Sequence, residues 1–166
     1  MNNELDLTNF NKGLFLKRDG AWLHDGDLVR HERLSLLLHR CIKRKDTGEL
    51  GVTTGRDWLT FESEDAPLRV MSVQNLHGQQ LELSLSNDTR FLLAPADHAL
   101  IIDQHDQWRT AIADQQLWAR WTRNALQSIL PIVQQVDDTY TLQLEPKVSI
   151  FQCSSKINWQ GIPGRS

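Results

Sequence analysis

A punctuated middle constrains this chain more than any other feature. From Leu50 to Asp103, short runs of strand-forming residues alternate with turn clusters about every ten residues. The runs are Leu50–Thr54, Asp57–Glu62, Leu68–Leu76, Gln80–Leu85, Arg90–Leu93 and Ala99–Asp103. Between them stand Thr54-Gly55, Glu64-Asp65-Ala66-Pro67, His77-Gly78, Asn87-Asp88 and Pro95-Ala96-Asp97. Gln80–Ser86 alternates, with Leu81, Leu83 and Leu85 on one face. Such short connections leave no room for the crossover helix of a βαβ unit, so the pattern predicts an antiparallel meander.

Helical patterns flank this region. Gly13–Arg18 reads as a strand, Asp19-Gly20 as a two-residue hairpin turn and Ala21–His24 as the return strand, with Trp22 and His24 on one face. Asp25-Gly26-Asp27 breaks that strand and offers Asp27 as an N-cap. From about Leu28 to Arg44, Leu34, Leu37, Leu38, Cys41 and Ile42 recur at helical spacing, and Asp46-Thr47-Gly48 ends the run. A second helix is expected from Ala113-Asp114, with Leu117, Trp118, Trp121, Ala125, Ile129 and Ile132 on one side and Pro131 as its stop. Thr139–Leu144 and Lys147–Phe151 read as further strands, residues 1–12 have no clear period, and 153–166 form a polar tail carrying Trp159.

The fold class expected is therefore α+β: antiparallel meander-type sheets with two amphipathic helices. Trp22 and Trp108 each precede a helix by a short polar turn, and strands follow both helices, so a repeated strand–helix–strand motif is also expected. Residues 1–166 read as a single domain, with 13–94 and 95–152 as two intimate subdomains.

Bulk properties exclude several function classes. A 166-residue chain can bury roughly 70% of its unfolded surface, so it needs no disulfide or metal to stay folded. The net charge of -3 argues against a surface that attracts nucleic acid or acidic lipid throughout. The two cysteines, Cys41 and Cys153, are far apart and lack metal or CxxC spacing. The acidic, polar start lacks a charged lead into an apolar run, and no apolar stretch approaches the roughly 20 residues that span a bilayer. These traits predict a soluble, cytoplasmic protein without membrane attachment. No Gly-rich phosphate loop, GxSxG elbow or recognisable cysteine nucleophile occurs, and no cofactor is read from the sequence.

Functional groups are densest at Asp19–Asp27. Trp22, His24, Asp25, Asp27 and Arg30 are the candidate ligand-binding residues, forming one wall of a cleft for a small molecule or a protein partner. Two alternatives use the same region. His24-Asp25-Gly26-Asp27, with His31 nearby, offers the imidazole and carboxylate groups of a metal-dependent hydrolase. The first helix carries Arg30, Arg33, Arg40, Lys43, Arg44 and Lys45 against Glu32, a basic stripe of the kind with which a nucleic-acid binder grips phosphates. Each has a structural counterpart: aspartates that cap backbone N–H groups in a turn, and cations that pair with an acidic middle or with the helix dipole. Trp118 and Trp121 could line a cleft, but at helical spacing they read as core anchors.

Asp19-Gly20-x-Trp22-x-His24-Asp25-Gly26, then Arg30 and a leucine-rich helix, then Val52-Thr53-Thr54 and Glu64-Asp65-Ala66-Pro67, resembles a bacterial family of uncharacterised proteins, domain of unknown function 1285. The resemblance spans roughly residues 13–130. The family commonly has Thr-Pro after the valine, where this chain has Thr53-Thr54, and an aromatic after EDAP, where this chain has Leu68, so the chain resembles a divergent member. What the resemblance implies is an α+β fold with repeated motifs and no established activity, with signal transduction as the role suggested for the family. The expected function is a non-enzymatic binding module.

Overall fold

Turn chemistry builds the first sheet. β1 (Leu14–Leu16) pairs antiparallel with β2 (Trp22–His24), and β2 pairs with β3 (Asp27–Leu28). The structure, a computed structural model, describes residues 13–78, 80–93, 100–144, 148–152 and 157–163. The expected lead-in at 1–12, the Pro95-Ala96-Asp97 turn, Ala99, Lys147, Cys153 and part of the polar tail lie outside the described residues.

The two Asp-Gly pairs divide their work differently from expectation. The two-residue turn is Asp25-Gly26, where φ is +50° and +86° and His24 faces Asp27 across the ladder. Positive φ at both central residues gives the twist that a tight hairpin needs. Around Asp19-Gly20 the loop is longer: the Lys17 N–H donates to the Ala21 carbonyl at 2.8 Å, with Gly20 at φ +91°. Asp27 therefore lies in a strand rather than at a helix start. His31 is the N-cap, its Nδ1 accepting from the Leu34 N–H at 3.2 Å.

Helix α1 (Glu32–Arg40) is shorter than its apolar spacing predicts. Cys41 ends it, and Ile42 opens β4 (Ile42–Arg44), facing Val52 of β5 (Leu50–Thr53). Ile42 is buried, but as a strand residue. β6 (Trp58–Ser63) pairs antiparallel with β5 and parallel with β1, which gives the order β3-β2-β1-β6-β5-β4.

Glu64-Asp65-Ala66-Pro67 then carries the chain into the second sheet. That sheet contains β7 (Leu68–Leu76), β8 (Gln80–Leu85), β9 (Arg90–Leu93), β10 (Leu100–Ile102), β11 (Trp108–Ile112) and β12 (Leu117–Trp121). After α2 (Arg123–Ile129) come β13 (Val133–Val136), β14 (Thr139–Leu142) and β15 (Val148–Gln152). Among the described residues the order is β13-β14-β15-β10-β11-β12-β7-β8-β9.

The expected meanders are present, but the sheets are mixed rather than purely antiparallel. Consecutive triplets of strands run antiparallel, and the triplets join through the parallel pairs β1–β6, β7–β12 and β10–β15. Each parallel pair joins strands remote in sequence, so local turn signals carry no trace of it. The path from β1 to β6 and the path from β10 to β15 share one connection: meander, helix, meander, with the first and last strands parallel.

The second helix is where the structure departs furthest from the apolar spacing. Leu117, Trp118 and Trp121 lie in β12, a 3-10 turn covers Ala113–Gln115, and α2 holds only seven residues. Thr122 caps α2, its hydroxyl accepting from the Ala125 N–H at 3.3 Å, and the helix ends just before Leu130-Pro131. β12 misleads because it is buried on both faces. Leu117, Ala119 and Trp121 join the main core, while Trp118 packs on the opposite face with Ala66, Ile101, Ile157 and Trp159. A strand covered on both sides loses its alternation and reads as an apolar run.

The main core joins both sheets, from Leu14, Trp22, Ile42 and Phe61 to Val70, Leu83, Ile112 and Trp121. Trp22 is fully buried, 5.0 Å from Phe61 and 5.4 Å from His39 between ring centroids. No helix among the described residues is long and apolar enough to cross a membrane.

Candidate functional site

The candidate ligand residues at the β2–β3 corner do not converge on a cleft. Trp22 faces the core, whereas Asp25, Asp27 and Arg30 are exposed. His24 is partly exposed, with Nε2 3.6 Å from the Asp25 carboxylate. Among the described residues, no three His, Cys, Asp or Glu side chains come together as a group able to hold a metal. The expected basic stripe is divided among different elements. Lys43 and Arg44 lie on β4, Arg40 pairs with Asp88 at 2.7 Å, and Lys45 pairs with Glu49 at 3.4 Å. Arg44 spends its donors on the carbonyls of Gln116, Gly48, Gln160 and Gly161, and burial lowers its pKa.

A different group of charges sits where the chain passes between sheets. Asp65, Asp103 and Arg109 are each more than 90% buried. Arg109 donates through Nη1 to Asp65 Oδ1 and through Nη2 to Asp65 Oδ2 at 3.1 Å, a two-pronged grip. Its Nε and Nη2 also reach Asp103 Oδ2 at 3.3 and 3.2 Å. Burying such charges is costly unless each is paired and hydrogen-bonded, and this network pairs them thoroughly. Asp103 Oδ1 accepts from the N–H groups of His105 and Gln107. Asp65 Oδ1 accepts from the Ala66 N–H at 2.7 Å. Trp159 closes the outer side, its ring centroid 4.8 Å from the Arg109 guanidinium carbon.

Two further guanidinium groups approach Asp65 Oδ2: Arg18 Nε at 3.3 Å and Arg120 Nη1 at 3.9 Å. Arg18 belongs to the loop after β1, and its N–H donates to Glu64 Oε2 at 2.8 Å. Arg120 lies on β12, with Nε donating to Gln107 Oε1 at 3.2 Å. The buried carboxylate thus holds arginines from both sheets.

Adjoining hollows open beside this network. One of about 380 Å³ is lined by Arg18, Asp65, His105, Gln107, Arg109 and Arg120. Another of about 180 Å³ shares Arg18, Asp65, His105 and Arg109 and extends along Gln104, Ile157 and Trp159. A third of about 180 Å³ shares Arg18 and Arg120 and is completed by Asp19, Arg69, Trp121, Thr122 and Arg123.

The first Asp-Gly pair reaches this third hollow from behind. Arg69 Nη1 donates to the Asp19 carbonyl at 2.8 Å, and the His39 imidazole Nε2 lies 2.9 Å from the Gly20 carbonyl. Burial chiefly lowers the His39 pKa, the Gly20 hydrogen bond opposes this, and the charge of Arg69 lowers it further. Neutral His39 must then carry its proton on Nε2 to make that bond. Burial also lowers the Arg69 pKa, Asp19 raises it and Arg120 lowers it.

Sequence reasoning singled out Asp65 only within the EDAP motif, and it missed Arg18, Arg69, Asp103, Arg109 and Arg120 as site residues. One signal was available: Trp108-Arg109 and Arg120-Trp121 put arginines inside strongly apolar runs, where a charge requires a partner.

No family model matches the chain, and no curated protein matches it. Solved structures do. A DUF1285 family protein from Silicibacter pomeroyi DSS-3 is similar over 87% of this chain and 81% of its own, with 14% identity and a TM-score of 0.65. A DUF1285 family protein from Shewanella baltica OS155 is similar over 71% of this chain and 90% of its own, with 19% identity and a TM-score of 0.51. At these identities the likeness is one of fold, and the chain has a DUF1285-like fold.

Proposed function

We propose that the protein is a non-enzymatic binding module, with a role in signal transduction, that takes a small ligand where its two sheets meet. One observation carries this reading: separate hollows converge on Arg18 and Arg120, which the buried Asp65 carboxylate holds from behind. Side chains fixed in this way lose little freedom when a ligand arrives, which favours binding. In this reading the corner carrying Trp22, His24, Asp25, Asp27 and Arg30 is the support, fixing the β1–β2 loop that presents Arg18 and Asp19. We also read the shared connection of β1–β6 and β10–β15 as two copies of one meander–helix–meander unit, with β7–β9 as an addition to the second.

The test is a titration of the 15N-labelled protein with a small-metabolite library, followed through the tryptophan indole signals. Trp121 and Trp159 line the hollows, whereas Trp22 lies in the core. A ligand of the inter-sheet cleft moves the Trp121 or Trp159 signal first. A ligand that instead moves only amides of His24 to Arg30 would return the site to the β2–β3 corner and reject this location.

A further inference from the structure

We infer that the hollow shared by Arg18, Arg69, Arg120 and Arg123 is an oxyanion site for the phosphate or sulfate group of a small molecule. This inference rests on reading the inter-sheet cleft as a ligand site and names the chemistry that the ligand must carry. Four arginines line the hollow against one carboxylate, that of Asp19. Asp19 offsets only part of that charge: its carboxylate favours the charged form of Arg69, but its side chain is 67% exposed, Oδ1 accepts from the Ala21 N–H, and Oδ2 lies 4.0 Å from Lys17 Nζ. Among the described residues, neither Arg69 nor Arg123 has a carboxylate within 4.0 Å.

Three of the cations are also held in place, and Arg123 stands exposed at the rim. Asp65 and Gln107 engage Arg18 or Arg120 from the buried side, and the Asp19 carbonyl engages Arg69. This leaves guanidinium N–H groups for a ligand without leaving Arg18, Arg69 or Arg120 loose. Like charges gathered around one hollow repel one another, and an anion between them removes the repulsion while accepting charge-assisted hydrogen bonds. The four come from separate elements: the β1–β2 loop, β7, β12 and the first residue of α2. A tetrahedral oxyanion presents oxygens in all of those directions, whereas a planar carboxylate presents only two. A hollow of about 180 Å³ suits one such group on a small molecule rather than a folded partner.

The experiment compares sulfate and glycerol phosphate with sodium chloride at equal ionic strength, reading the melting temperature and the Trp121 indole signal. Both anions are expected to raise the melting temperature beyond chloride, because a ligand that binds only the folded state stabilises it. Arg123 is exposed, so Arg123→Gln is expected to fold normally while weakening apparent anion affinity roughly tenfold, the effect of losing one charge-assisted hydrogen bond. Arg69→Lys keeps the charge, loses the planar fork and is expected to weaken binding as well. Tighter binding of glycerol phosphate than of sulfate would identify an organic phosphate as the ligand, and equal binding a free inorganic anion. No gain over chloride, or a gain unchanged in both variants, overturns the inference. If uncharged library compounds still move Trp121 or Trp159, the cleft remains a ligand site and only its anion chemistry is lost. If nothing moves them, both readings fall.

Discussion

Arg69 reaches from the second sheet across Gly20 of the first, and its guanidinium atoms stand 2.2–2.8 Å from where a Cβ on Gly20 would sit. Gly20 also has φ +91°, a region that side-chain-bearing residues rarely adopt. Gly20→Ala is therefore expected to cost about 1–3 kcal/mol, mostly backbone strain with a smaller part for moving the Arg69 guanidinium aside. Urea denaturation of the single variants and the Gly20→Ala/Arg69→Ala double variant separates the two parts. The loss from Gly20→Ala should shrink by about 1 kcal/mol when Arg69 is already truncated. Full additivity would show that Arg69 does not occupy that space.

Asp65→Asn tests the charged junction. The amide leaves Asp103 as the one carboxylate on Arg109 and removes the charge that Arg18 and Arg120 face. The expected loss is about 3 kcal/mol, the lower end for breaking a buried ion pair, because Asp103 remains. Urea denaturation reads it. A loss below about 1 kcal/mol, the range of an exposed pair, would contradict the buried network.

His39 predicts a pH dependence of known sign. Its folded-state pKa lies below the ordinary 6.5, chiefly because of burial. Above 6.5 both folded and unfolded states are neutral at this residue, and its contribution is full. As pH falls below 6.5 the unfolded chain takes up a proton that folded His39 resists, so stability declines until the folded pKa is reached. Denaturation curves between about pH 7.5 and 5.5 should show this decline in the parent protein and a smaller one in His39→Gln. The glutamine amide can still donate to the Gly20 carbonyl. Identical slopes would exclude His39 as the source.

Trp159 covers the outer face of the second sheet, 4.9 Å from Trp118 between ring centroids and edge-on to it. Trp159→Ala should cost about 2–4 kcal/mol through lost packing and the lost contact with Arg109. Loss of the cover should also expose Trp118, shifting tryptophan emission to the red. An unchanged midpoint and spectrum would mean that the Trp159 ring adds nothing to the fold.

Much of the local architecture is legible in the chain. Leu81, Leu83 and Leu85 alternate because β8 has one face in the core, and β7 and β8 fall where the pattern places them. The same logic fails for Leu117–Trp121, whose two faces are both covered, and for Ile42, whose apolar character suits a helix and a strand equally. Periodicity reports the burial of one face, and it cannot report a second layer laid on the other.

The sequence by itself determined the α+β class and the run of meanders, because turn residues and side-chain alternation act over a few neighbours. Only the tertiary structure decided that the meanders join in parallel, that EDAP is the crossing between sheets, and that Asp65, separated from Arg18 by 47 positions and from Arg109 by 44, holds both. Pairings over such distances are selected by the packing of whole sheets, where a buried charge must find its partner wherever the fold brings one. No local pattern in the chain encodes that choice.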